Sequence, residues 1–475
     1  MIIFFRKNLI FFSILLILSF SFIFFNFHIN TFDLHFDEIH WFYWSDPSLN
    51  FSETINRLNN YISAHPPLFA LLNKIILSFK NETHILRYIT AFNMMINSVL
   101  FYFILKKIFK DNYFSLIGVI LFFSNIFIIF YAQRFTNYSL LLFFELLSFF
   151  YFFKLIYKKK IKNLIIFFCI NFLGITSHLY FLLYLAPITL WLLIDVKKNF
   201  YNLVSIACSL ITFGLLCNNF ITNAFQVGYS NTNVSFDLIN SHFLVYFFGG
   251  KYLTYLAYLF ITVFGIYILQ KKNKIDLVYI FILTVPYLTV YIFNLLIGNA
   301  WIDGKHLIFF IPFLIIVFLK VTNYLKSNIK IKYIYMFPIF LIFLGQLIAL
   351  YRNYYPNNFN KDLVRRNVEL KKFLVETKDY HKLPFLIEKG RDTWPGFNHN
   401  LKYYLERNKD FKKSKIIMID TENEKINNLN EFVYIYFRDT ENTEAKKRVE
   451  LLKIKGLKEF ENFKNFQIKG IYFKK

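Results

Sequence analysis

Cysteine is almost missing from this chain of 475 residues, with Cys169, Cys208 and Cys217 its only examples. An odd number of well-separated thiols, all inside apolar stretches, argues against a disulfide framework or a cysteine metal cluster. They read as small buried apolar residues. Acidic residues are also scarce, 30 Asp and Glu against 54 Lys and Arg, for a net charge of +24. Where those cations fall decides what they mean, and their placement, described below, gives no argument for nucleic acid. A small-residue cleavage site is missing after the first apolar segment, where Asn26-Phe27-His28 follows. That segment therefore reads as a retained anchor rather than a removed signal peptide. From residue 357 onward there is no nucleotide-binding glycine loop.

What the chain has in abundance is apolar length. Apolar residues make up 56% of it and the mean hydropathy is +0.41. Runs long enough to cross a bilayer, about 20 residues each, recur through the first three quarters. They fall near 8–27, 85–105, 114–131, 138–157, 163–178, 180–195, 200–221, 251–269, 276–297, 306–320 and 332–351. The expected fold is an α-helical polytopic membrane protein with about 11 spans. The excess of Phe, Ile, Asn and Lys is compositional bias, with Phe as lipid-facing filler.

The basic residues sort into alternate connections: Arg6 and Lys7, Lys106, Lys107 and Lys110, Lys158 to Lys160, Lys197 and Lys198, Lys271 to Lys274, and Lys326 to Lys332. The positive-inside rule makes those connections cytoplasmic, with the N-terminus inside and the C-terminus outside. Their charge complements an anionic inner leaflet. Pro66 to Phe79 is apolar but too short to span, and counting it would invert every later loop. It is expected as an interfacial helix opened by Pro66 and Pro67, with an amphipathic stretch from Ser52 to Ile62 before it.

In this orientation the unusual polar residues gather at the outer ends of spans: Asp37 and Glu38, His65, Arg134 in Tyr131-Ala132-Gln133-Arg134, His178 and Tyr180, then Lys305 and His306. Ionisable groups at a membrane edge are costly and suggest chemistry. A carboxylate can serve as general base toward an acceptor hydroxyl while cations or a metal ion stabilise a departing phosphate. Adjacent Asp37 and Glu38 need not flank one bond, which disfavours a glycosidase pair. Asp37 is read as the base and Glu38 as its orienter or a metal contact.

These motifs, in this order, resemble the GT-C glycosyltransferases of the protein O-mannosyltransferase and aminoarabinose-transferase type (glycosyltransferase family 39-like). The resemblance covers roughly residues 8–356 and includes Asp37-Glu38, His65-Pro66-Pro67-Leu68, Glu82 and Arg87, Tyr138-Ser139-Leu140, His178 and Tyr180, and Lys305-His306-Leu307 with Pro312. It implies an inverting transferase taking a sugar from a polyprenyl phosphate donor on the outer side, with the base role falling on Asp37. It further implies donor-phosphate or substrate contacts at His65, Arg87, Arg134, Tyr138, His178, Tyr180, Lys305 and His306. The setting it implies is a bacterial inner membrane, and the acceptor a lipid, glycan or protein. Two positions depart from the family pattern. Where many relatives carry an acid and then an Arg, this chain has Arg134 and Thr136, which leaves a Mg2+ or Mn2+ site resting on Asp37 and Glu38. Where the family has an Arg, this chain has Lys305, which keeps charge and loses bidentate geometry.

Structural readings stay open beside the functional ones: a helix cap for His65, a satisfied histidine for His178, an aromatic-belt role for Tyr180, and snorkelling anchors for Arg87, Arg134 and Lys305. Two other classes remain as alternatives. A transporter or flippase of lipid-linked glycans predicts repeated halves and charges near mid-membrane, whereas the charges noted here lie at span ends. A glycan polymerase or oligosaccharyltransferase predicts other motifs, such as a Trp-Trp-Asp that Trp394-Pro395 does not supply. Residues 1–356 form the expected transmembrane catalytic domain, with a first outer loop over 28–84, and 357–475 a small extracytoplasmic α/β domain. In that domain helices are expected near 360–377, 397–407 and 442–454, and strands over 384–388, 415–420, 432–437 and 467–473.

Overall fold

The computed structural model describes residues 8–27, 29, 34, 36–59, 66–80, 82–219, 259, 262–268, 270, 275–297, 307–328, 336–354, 369–388, 405–406, 411, 414–419, 429–437, 444–454, 456–464 and 468–474. The chain divides into two compact units, one of Met1–Ile29 with Trp44–Arg352, the other of Asn30–Tyr43 with Asn353–Lys475. The segment 28–84, expected as a first outer loop, has residues in both units.

The first unit is an apolar helical bundle. Its named helices are α1 (Leu9–Asn26), α3 (Phe51–Asn59), α4 (Leu68–Phe79), α5 (Thr83–Phe109), α6 (Asn112–Phe123), α7 (Ile126–Ala132), α8 (Tyr138–Tyr157), α9 (Ile161–Ser177), α10 (Phe181–Leu193), α11 (Val196–Leu216), α12 (Leu277–Ile297), α13 (Phe310–Asn328) and α14 (Phe337–Tyr354). Between α1 and α3 lies α2 (Phe36–Trp44), which belongs almost wholly to the second unit. Four described helices are long and apolar enough to cross a bilayer, and a fifth span results if α6 and α7 count as one. The protein is a multi-pass membrane protein.

Local chemistry explains the boundaries. α1 buries a single stripe, Ser13, Ile17, Ser21 and Phe25, at the four-residue spacing of one helix face. Its buried hydroxyls return to the helix itself, Ser21 Oγ donating to the Ile17 carbonyl at 2.6 Å. α3 opens with a reciprocal capping box. The Asn50 side chain accepts from the Glu53 amide at 2.8 Å, and the Asn50 amide donates to Glu53 Oε2 at 2.7 Å. Lys74 on α4 donates to the carbonyls of Asp46, at 3.2 Å, and Leu49, tying this short helix to the turn before α3.

The stretch 114–131, expected as one span, is broken. α6 and α7 meet at a 64° bend. At the break, Asn125 Oδ1 accepts from the amides of Phe127, at 3.0 Å, and Ile128, at 3.3 Å, and so starts a new helix. Beside it the Ser124 hydroxyl donates to Gln346 Oε1 on α14 at 2.8 Å in the buried interior. Close packing elsewhere depends on two glycines. A Cβ on Gly118 would lie 2.5 Å from Leu105 and 2.7 Å from Leu319, and one on Gly174 2.5 Å from the Phe181 ring. Small residues at helix contacts are how membrane bundles bring backbones together.

In the second unit the described elements are α15 (Glu369–Glu376), β1 (Phe385–Glu388), β2 (Ile416–Ile419), β3 (Glu431–Phe437), α16 (Glu444–Ile454), β4 (Lys458–Lys464) and β5 (Ile468–Lys474). They form a five-stranded mixed sheet in the order β2-β1-β3-β5-β4. β1 runs parallel to β2 and β3, while β3–β5 and β5–β4 are antiparallel. Period-2 alternation buries both faces: Phe385, Ile387, Val433 and Ile435 pack with Phe373 on one, and Leu386, Phe432, Tyr434 and Phe473 with Leu452 on the other. β4 was not expected. Its sequence Lys-Glu-Phe-Glu-Asn-Phe-Lys is mostly polar, and a register shift between Glu459 and Glu461 breaks the alternation. It is an edge strand, where charge protects against unwanted pairing.

Candidate functional site

Four aromatic rings stand in file where the loop between α7 and α8 meets the loop between α9 and α10. Tyr131 packs edge-on against Tyr138 with centroids 4.7 Å apart. Tyr138 then lies 5.4 Å from the His178 ring, and His178 lies 4.7 Å from Tyr180. The Asn137 Nδ2 to Ser177 carbonyl contact of 3.5 Å runs alongside. Two loops about forty residues apart in sequence are thereby held as one wall.

Arg134 joins this wall through a ring outside the file. Its guanidinium lies 3.8 Å from the centroid of Phe130, and Phe130 packs on Tyr131 at 5.2 Å. Stacking on the ring face orients the planar fork. Gln133 secures the same loop by donating from Nε2 to the Phe27 carbonyl at the end of α1 at 2.6 Å.

The tautomer of His178 follows from its bond. The Tyr180 amide donates to Nδ1 at 3.2 Å, so that nitrogen is an acceptor and the proton of a neutral ring sits on Nε2. His178 is buried and follows directly on the end of α9, while Tyr180 precedes α10 and is half-buried.

The remaining expected residues are placed as follows. Arg87, fully buried on α5, donates from Nη1 to the Ile29 carbonyl at 2.9 Å, which joins it to the segment after α1. Asp37 and Glu38 occupy the first turn of α2, where the helix dipole favours carboxylates, Asp37 half-buried and Glu38 fully buried. His65, Lys305 and His306 lie outside the described residues. Among the described residues no group of three or more His, Cys, Asp or Glu side chains is placed to hold a metal ion. Mg2+ is commonly held by one or two carboxylates together with waters and substrate phosphates, and Asp37 and Glu38 are the carboxylates that would hold it here.

Phe130 and Gln133 were not singled out by sequence. The signal for Phe130 was its spacing of four before Arg134, the separation at which side chains meet on a helix. Gln133 had none, because its partner is a backbone carbonyl more than a hundred residues away.

Comparisons with known proteins bear on the same part of the chain. Residues 64–219 match the family model for dolichyl-phosphate-mannose-protein mannosyltransferase. No curated protein matches in sequence. Among solved structures, ArnT from Cupriavidus metallidurans bound to undecaprenyl phosphate superposes with a TM-score of 0.56 over 96% of this chain and 97% of its own, at 8% identity. Its apo state gives 0.55 over the same shares, at 9% identity. At that identity the likeness is one of fold. A mannosyltransferase family model thus matches the helices that carry the aromatic file, about a third of the chain, and nearly the whole chain shares the fold of ArnT.

Proposed function

We propose that the protein is an inverting glycosyltransferase that moves a sugar from a polyprenyl phosphate to an acceptor hydroxyl at the extracytoplasmic face of a bacterial inner membrane. The observation that carries this reading is the file of Tyr131, Tyr138, His178 and Tyr180 with Arg134 joined to it through Phe130, all inside the 64–219 segment that matches the mannosyltransferase family model. An Arg fork held on a ring and a His whose Nδ1 is an acceptor, which puts the proton of the neutral ring on Nε2, are groups of the kind that donate to a phosphate ester as its charge grows. That ArnT of the same fold binds undecaprenyl phosphate supports a polyprenyl carrier as the donor.

In the proposed step Asp37 takes the acceptor hydroxyl proton, and the acceptor oxygen forms a bond to the anomeric carbon from the face opposite the phosphate. The bond between that carbon and the phosphate oxygen breaks, its electron pair leaves with the polyprenyl phosphate, and the anomeric configuration inverts. Arg134 and His178 are assigned the departing phosphate. Glu38 is assigned the orientation of Asp37, its immediate neighbour in the first turn of α2. The rings of Tyr138 and Tyr180 offer faces on which a sugar can pack.

The test compares wild type with Asp37→Asn by mass spectrometry of envelope lipids and glycans, with polyprenyl phosphosugars followed in parallel. The expected outcome is loss of one sugar-sized mass from an acceptor while donor accumulates and the variant still inserts. Normal transfer by Asp37→Asn overturns the base assignment, and an unchanged glycome with lipid-linked sugar shifted between leaflets overturns the transferase.

A further inference from the structure

Glu145 lies in the middle of α8, in an apolar helix of the bundle, and is completely buried. Both of its carboxyl oxygens are without a hydrogen-bond partner. Two more orphaned polar atoms lie on the neighbouring helices, Asn171 Nδ2 on α9 and the Tyr184 hydroxyl on α10. The Ser148 hydroxyl, one turn along from Glu145, donates to Asn171 Oδ1 at 2.7 Å and so turns the amide with its amino group unspent. Tyr184 stands beside Ser148 and within electrostatic reach of Glu145 without completing a hydrogen bond. Its ring is walled by Phe181, at 5.3 Å between centroids, and by Phe309 and Phe313, at 6.1 and 6.3 Å. Three helices therefore direct polar groups into one dry-walled spot, where unmet hydrogen bonds are costly.

We propose that Glu145, Asn171 and Tyr184, with Ser148, form an internal hydration site in which ordered water bridges the Glu145 carboxyl to the Asn171 amino group and the Tyr184 hydroxyl. The set of orphaned atoms selects the ligand. Water accepts from Asn171 Nδ2 and donates to a Glu145 oxygen, and a buried water makes about three such bonds. A metal cation would be set against the Asn171 amino protons and is disfavoured there. The site also has a place in the architecture. Glu145 follows Tyr138 by seven residues and Asn171 precedes His178 by seven, which puts the water about 10 Å along the helices from the aromatic file. It would clamp together α8, α9 and α10, the helices whose ends carry Tyr138, His178 and Tyr180. This inference is independent of the transfer reaction proposed above.

The test is a high-resolution crystal structure of the full chain in a lipidic phase, with Na+ replaced by Tl+ in a parallel crystal. Expected is a water peak within hydrogen-bond reach of Glu145 and of Asn171 or Tyr184 in wild type, with no Tl+ anomalous signal. Glu145→Gln, which keeps a carbonyl acceptor, retains the peak, and Glu145→Leu loses it. An anomalous Tl+ peak at the site, direct contact of Glu145 with Tyr184 or Asn171 with no density between them, or a water that persists in Glu145→Leu each overturns the proposal. Should Glu145→Leu fail to fold, the wild-type and Tl+ maps decide it alone.

Discussion

Two sets of polar groups on the same three helices differ in how they are satisfied. At the loop ends, His178 Nδ1 accepts from the Tyr180 amide and Arg134 rests on Phe130. A few turns inside, Glu145, Asn171 and Tyr184 keep atoms with no partner. The physical difference is the backbone. A loop has amides and carbonyls to lend to side chains, whereas in a helix they are spent on each other. A polar side chain inside a bundle must then find another side chain or a small molecule, and a polar side chain at a loop need not. Groups at the ends are thus held in place by their own chain, whereas groups inside depend on the neighbouring helices.

The strongest way to break this comparison is at Arg134. Replacing it with Ala is expected to lower kcat for transfer by about 10²–10³, the usual loss of one donor to a developing anion. Arg134→Lys should recover part of that, since charge is kept and the fork is lost. Assays of purified protein with a polyprenyl phosphosugar, alongside melting curves, check that the loss is in rate and not in folding. If Arg134→Ala keeps full rate, the loop-end set is structural like the inner one.

A smaller effect is expected where the two sets join. Gly174 lies between Asn171 and His178, and a Cβ there would press within 2.5 Å of the Phe181 ring, which has no flexible end to yield. Gly174→Ala should destabilise the bundle by about 1–3 kcal/mol, the range for overpacking, visible as a lower melting temperature.

The smallest expected effect belongs to Asp46, in the turn tied down by Lys74 and remote in sequence from both sets. Burial alone would raise its carboxyl, but hydrogen bonds from the Ser48 hydroxyl and amide, with the charges of Arg57 and Lys74, outweigh this and hold it below the ordinary value of 3.8. A depressed carboxyl contributes stability that is fully present above its unfolded value and is lost as pH falls through the folded one. The melting-temperature difference between wild type and Asp46→Asn should therefore be positive at neutral pH and vanish in acid. A difference that grows on acidification would contradict that account.

Much of the bundle was legible because lipid imposes a simple rule on composition. The reading 138–157 coincides with α8, and α4 begins after Pro66 and Pro67 as their geometry requires. The bend between α6 and α7 was not legible, since Ser124-Asn125 amid apolar residues reads as filler until Gln346 is seen across from it. β4 was hidden by its charges and its bulge. Of the site residues, Tyr138, His178 and Tyr180 could be nominated by position along the chain, but their stacking could not, because ring contact depends on how two loops meet. Glu145 was passed over although a lone acid inside an apolar run is itself a signal.

By itself, then, the amino-acid order determined that the chain lives in a bilayer, the bounds of helices such as α8, and which residue types stand near the span ends, since each depends on local hydropathy, caps and prolines. Only the tertiary structure decided that Arg134 lies on Phe130, that Tyr138 meets His178, that one expected span is two helices, and that Glu145 is buried within the bundle rather than turned to lipid. Those outcomes depend on the rotation and register of one helix against another, set by packing at positions such as Gly118 and Gly174, and no local pattern carries that information.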